Sequence, residues 1–248
     1  MAGLRLWDTD PEAKPKPRAS FADDVVGRFR SGRMVVDPDR PSRPPMPESL
    51  DEWRVTTGDP VVAARIAALF GGTPAEWATE SEDTLEVLTT APSVGIIIDS
   101  ASAIQSDMRL YGQFGSELLH HCDGVEFLDD EKKGQPCGCP ESFAARKAEA
   151  KIGRAPKPNI VTTFKLQEDP DLGRFRFRSG AWDLAATLHE VLEALDQVGG
   201  PARAMLTLDP VEFTIKKGPK KGTLVNYTRP VIKVLGAYEA AVPLADAA

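Results

Sequence analysis

Arg174-Phe-Arg-Phe-Arg178 alternates strictly between guanidinium and phenyl side chains. A half-buried helix repeats its apolar residues every three or four positions, so this run predicts a strand. Both phenylalanines then lie on one face and three arginines on the other. A chain that contains it must build a sheet with one packed face and one cationic face. The flanking segments agree. Asn159–Leu166 (NIVTTFKL) predicts the preceding strand and Pro170–Gly173 a turn. Ala181–Val198 predicts a helix that Ser179 can cap, with Leu184, Leu188, Val191 and Leu195 on one face. Gly199-Gly200-Pro201 ends it.

Upstream, Asp51–Thr57 alternates like a strand, and Asp59-Pro60 supplies an N-cap and a first-turn proline for a helix. Val62, Ile66, Leu69 and Phe70 mark its buried face, and Gly71-Gly72 stops it. Thr73-Pro-Ala-Glu76 reads as a capping box and predicts a second short helix containing Trp77. Further strands are predicted over Thr84–Thr90, Val94–Asp99, Asp107–Tyr111, Glu117–His121, Ala204–Leu208, Val211–Lys217 and Thr223–Leu235. Short, locally connected strands with a few helices predict an α+β fold. Its sheet is expected to be mixed and mostly antiparallel, not doubly wound.

Eight of the 21 prolines fall in residues 1–50, which predicts a Pro-rich arm over 1–49. One island near 21–32 interrupts it, where Phe21, Val25, Val26 and Phe29 can dock on the domain or on a partner, a disordered arm being the alternative. Residues 50–238 are expected to form one domain and 239–248 a flexible tail. No apolar run reaches the roughly 18 residues of a membrane span, and MAGLRLWDTD has no apolar signal core. A cytoplasmic protein without membrane contacts is the expectation. The net charge of −7 conceals an acidic block, −11 over residues 51–150, between segments of +1 and +3. That total opposes a surface that wraps a phosphate backbone. The Arg174/Arg176/Arg178 row is the best cationic patch and the Lys216/Lys217/Lys220/Lys221 turn the second.

All three cysteines and two of the three histidines lie within residues 120–140: His120, His121, Cys122, Cys137 and Cys139. Thiolate and imidazole are the donors tetrahedral zinc prefers. Three cysteines need a fourth donor, and His121 or His120 is nearest; we take His121. The ligand set Cys122, Cys137, Cys139 and His121 makes a structural zinc loop. Thiols without a metal, or a catalytic ion with an open fourth position, are the alternatives. No H-E-x-x-H, G-x-G-x-x-G, phosphate loop or G-x-S-x-G elbow occurs. No catalytic residue and no small-molecule substrate are therefore expected. Candidate partner-binding residues are Arg174, Arg176, Arg178, Phe21 and Phe29.

FADDVVGRFRSG, EWRVTTGDPVVAARIAALFGGTPAEW, the CDG…GQPCGCP loop and FKLQEDPDLGRFRFRSGAWDLA together resemble the recombination directionality factors of actinobacterial temperate phages. The likeness runs in order from about residue 5 to 235. It implies a non-catalytic accessory that binds a large serine integrase, through the integrase's zinc-bearing C-terminal domain and coiled-coil arm. Such a factor favours attL × attR excision over attP × attB integration and meets DNA mainly through the integrase. The pattern departs at Ile152–Pro158, where related sequences carry a further cysteine and this chain has none. The alternative from another class is a phage replication or repair accessory that binds single-stranded DNA through the Arg and Lys faces.

Overall fold

The structure is a computed structural model. It describes residues 25–239 except 38, 41–43, 80, 113–116, 217 and 219–220. In chain order the strands are β1 (Gly27–Val35), β2 (Met46–Thr57), β3 (Pro74–Glu76), β4 (Leu85–Leu88), β5 (Ser93–Ile98), β6 (Ile104–Tyr111), β7 (Leu118–Cys122), β8 (Lys157–Leu166), β9 (Arg174–Ser179), β10 (Ala202–Thr214) and β11 (Leu224–Ala237). The helices are α1 (Pro60–Phe70), α2 (Phe143–Lys151) and α3 (Trp182–Val198). The fold is α+β with a largely antiparallel sheet, as the sequence predicts.

The strands form one sheet in the order β11-β10-β5-β8-β9-β1-β2-β4-β3, with β6 also on β8 and β7 on β6. The parallel pairing of β1 with β9 matches Phe29 with Phe177. The sheet curls far enough for the Thr228 hydroxyl on β11 to donate to the Leu50 carbonyl on β2 at 2.7 Å. Alternation then sends one side chain in two to the core. Phe175 and Phe177 are fully buried, as are Trp53 and Val55. Phe29 meets Trp53, Phe164 and Phe175 edge-on, at ring centroids 5.8, 5.4 and 5.6 Å apart.

α1 packs on β2 and β4, and α3 on β11 and β8. The Asp59 carboxylate accepts the Val61 amide at 2.8 Å, so the cap of α1 forms as read. α3 buries Leu184, Leu188, Val191 and Leu195, but it starts from Ala181 without a side-chain cap. Ser179 instead ends β9, and its hydroxyl accepts the Ala181 amide at 3.1 Å. No helix among the described residues is long and apolar enough to cross a membrane.

Three expectations are corrected, and one helix, α2, goes unpredicted. The domain begins before Leu50, because β1 lies inside the sheet between β9 and β2. Thr73–Trp77 is not helical, since Pro74–Glu76 pairs with β4 and edge pairing overrides the local cap. The predicted strands at 204–208 and 211–217 are not separate: 204–208 and 211–214 belong to one long strand, β10, which ends at Thr214 and which Pro210 splits in the pattern. α2 lacked an apolar stripe to reveal it, as Ala150 is its one buried residue.

Candidate functional site

β7 carries His120, His121 and Cys122 in succession. Period two puts His120 and Cys122 on one face and His121 on the other. The chain then reverses at Asp123, whose carboxylate accepts the amides of Val125 at 2.7 Å and Glu126 at 2.8 Å. Gly124 sits at φ +101°, and a Cβ there would lie 2.5 Å from the Arg146 guanidinium. Bridges Cys122↔Phe127 and Glu126↔Pro136 return the chain beside itself. The Cys137 amide donates to the Val125 carbonyl at 2.8 Å. α2 closes the loop from outside, with Arg146 Nε donating to the Pro140 carbonyl at 2.5 Å.

The loop brings His120, Cys122, Cys137 and Cys139 together, with ligand atoms all within 4.8 Å of one another. Cys122 Sγ lies 3.8 Å from Cys139 Sγ, which lies 3.6 Å from His120 Nε2. A tetrahedron with metal–sulfur bonds of about 2.3 Å and a metal–nitrogen bond of about 2.05 Å requires about 3.8 and about 3.6 Å. A disulfide would need about 2.05 Å between the sulfurs. Burial pushes the Cys122 thiol up to about 12. It raises Cys139 as well, so thiolates here call for a compensating cation. The cluster fits a metal ion held by three thiolates and one imidazole.

His121 is not the fourth donor. It faces away from the sulfurs, with Nε2 3.4 Å from Asp107 Oδ2 and Nδ1 3.2 Å from Asp129 Oδ1. Strand parity dictates the exchange, and the expectation missed it because the predicted strand stopped at His121, one residue short of Cys122. His120 is further held by Phe127, its ring centroid 4.7 Å away.

The arginine row splits. Arg176 and Arg178 line a concave groove of about 1050 Å³ on the outer face of the sheet, which Arg174 does not line. Arg174 lies 3.4 Å from Asp99 instead. Arg28, Arg30 and Arg33 from β1, Arg54 from β2 and Arg109 from β6 join the groove. The sequence reading missed these five, since they become neighbours only through the order of strands. Carboxylates are interleaved. Asp83, fully buried, takes Arg28 at 2.6 Å and Arg30 at 3.7 Å. Glu48 takes Arg33 at 2.6 Å, Glu86 takes Arg54 at 2.5 Å and Asp107 takes Arg109 at 2.7 Å. Arg54 also lies over the Trp77 ring, 4.4 Å from its centroid. Burial holds Arg30 below the usual guanidinium range; Asp83 opposes this, and Arg54 and Arg28 add to it.

Phe29 is 2% exposed, so of its two expected roles the structure shows docking on the domain and leaves no ring surface for a partner. Phe21, Lys217 and Lys220 lie outside the described residues. The family model described as "Gp3-like: Recombination directionality factor-like" matches residues 26–235. No solved structure matches the chain.

Proposed function

Because the chain belongs to the Gp3-like, recombination directionality factor-like family, we propose that it binds a large serine integrase and switches it from attP × attB integration to attL × attR excision. The match from residue 26 to 235 carries this reading. The factor contributes no catalytic group of its own, and strand exchange belongs to the integrase. It acts by differential binding: contacts made better in one synaptic arrangement shift the outcome toward that arrangement. The net charge of −7 favours docking on a protein that holds the DNA. The integrase's C-terminal zinc domain and coiled-coil arm are the surfaces we assign to it, in the bacterial cytoplasm.

Zinc is the metal we assign to His120, Cys122, Cys137 and Cys139. Four protein ligands leave no open position, so the ion's role is to tie β7 to the 134–140 loop. The rival reading, single-stranded DNA binding, wants exposed rings for base stacking. Phe175 and Phe177, the rings nearest the arginine row in sequence, are fully buried.

The test is co-purification with candidate integrases, followed by plasmid recombination with the partner found. Stimulated attL × attR and inhibited attP × attB recombination are expected. A bound integrase whose two reactions are both unchanged would sink the reading.

A further inference from the structure

β1 and β2 run past the rest of the sheet. β9 pairs with β1 only over Gly27–Phe29, and β4 pairs with β2 only over Arg54–Thr57. Beyond those contacts Gly32–Val35 and Met46–Ser49 pair, among the described residues, only with each other, as a two-stranded ribbon. A ribbon of that kind gains little stability alone in water. It nevertheless exposes Met34 at 63% and, opposite Val35 on its other face, Met46 at 60%. Met34 and Pro47 continue directly into the arginine groove, which they line together with Arg30, Arg33, Arg176 and Arg178.

We propose that this groove and ribbon bind an extended, acidic segment of a protein partner that also carries apolar side chains. Three observations favour a peptide over a nucleic-acid strand. Among the described residues, Glu48, Glu86 and Asp107 each take one arginine, Arg28 and Arg30 share the single carboxylate of Asp83, and Arg178 bonds the neutral amide of Asn159, which leaves positive charge in excess. A phosphodiester strand carries a charge at every step and would meet those carboxylates repeatedly. A peptide places its charges selectively, opposite the excess. Next, exposed Met34 at the groove's end offers adaptable apolar contact, which a phosphate backbone cannot use. Finally, the basic residues are all arginines, whose planar forks fit carboxylates bidentately and need not give up an existing partner entirely. The acidic protein around the groove then supports selectivity, because non-specific polyanions are repelled elsewhere on the surface.

This inference rests on the reading that the chain works through a protein partner, but its test needs no integrase. Fluorescence anisotropy is measured on the full chain with a labelled peptide of about ten residues, about 33 Å when extended, with glutamates and leucines interspersed. A peptide with lysine for each glutamate and an oligothymidylate of similar length are the comparison probes. Saturable binding of the acidic peptide is expected, weakening as salt rises from about 50 to about 500 mM. Combining Arg30→Glu with Arg178→Glu should weaken it about tenfold or more. Met34→Ser, at an exposed position that folding tolerates, should weaken it at unchanged salt dependence. No saturable peptide binding, equal binding of the lysine peptide, tighter oligothymidylate binding, or indifference to all three substitutions would each overturn the proposal. Peptide binding without any effect on recombination would instead count against the switching role.

Discussion

His120 Nε2 lies 3.6 Å from Cys139 Sγ, while its neighbour His121 turns to the opposite face and meets Asp107 and Asp129 at 3.4 and 3.2 Å. Adjacent imidazoles on one strand are thus committed to different chemistry. One completes a set of metal donors, and the other sits between two carboxylates.

The donor set predicts metal content. Protein purified without chelator should carry about one zinc per chain by elemental analysis. His120→Asn and Cys139→Ser should each lose most of it, whereas His121→Asn should retain it. Equal retention by both histidine variants would contradict the assignment.

Chelation tests what the ion does for the fold. The 122–140 loop has few apolar residues of its own in the core, Cys122 and Cys137 being its buried ones. Removing the ion should therefore lower the melting temperature and expose this loop to protease. Acid should release the metal too, because protons compete for three thiolates and an imidazole. An unchanged melting curve in excess chelator would show that the loop folds without an ion.

Asp83 is fully buried, accepts the Thr56 hydroxyl at 2.9 Å and holds Arg28 at 2.6 Å. Asp83→Ala takes a buried carboxylate away from Arg28, Arg30 and the Thr56 hydroxyl and should cost about 1–3 kcal/mol in urea unfolding. A loss below about 1 kcal/mol would show that this buried carboxylate contributes little to stability.

Neighbours on β9 should behave oppositely. Phe177 is fully buried and meets Trp53 edge-on at 5.2 Å, so Phe177→Ala should cost about 3–5 kcal/mol. Arg178 bonds Asn159 Oδ1 at 2.5 Å from the groove side, and Arg178→Ala should cost about 1.5 kcal/mol or less. Similar losses at both positions would refute the division of faces.

Asp107 predicts an acid limb. Burial raises its carboxyl, but hydrogen bonds from Arg109 and Asn159, the Arg109 charge and His121 outweigh this and hold it below the ordinary 3.8. A depressed folded value means that the ionised form stabilises the fold. That contribution is complete above about 3.8 and is lost as pH falls through the lower folded value. The stability gap between the natural chain and Asp107→Asn should therefore narrow on acidification below that pH. A gap independent of pH would exclude Asp107 as its source.

Local patterns carried much of the fold. Alternation over 174–178 located β9 and its two faces, Asp59-Pro60 located the start of α1, and four aliphatic residues fixed the buried face of α3. The boundaries failed where distant pairing intervened. Gly27–Val35 lies in a proline-rich context, yet β9 and β2 supply its partners from both sides. Pro74–Glu76 carries a helix cap but pairs with the edge of β4.

The candidate site divides the same way. Confinement of every cysteine to residues 122–139 belongs to the sequence, and with it the chemistry of a thiolate-rich metal centre. The resemblance to directionality factors was legible there too, because it rests on runs of residues in order. The identity of the fourth donor depended on β7 continuing through Cys122, since one residue of strand reverses which imidazole faces the sulfurs. The arginine groove depended on tertiary structure entirely. Arg28, Arg54, Arg109 and Arg176 are scattered over some 150 positions of chain and converge because β1, β2, β6 and β9 flank one another or share β8. Side-chain period is a local property of backbone geometry; strand order is set by which apolar faces bury one another, and only the folded chain decides that.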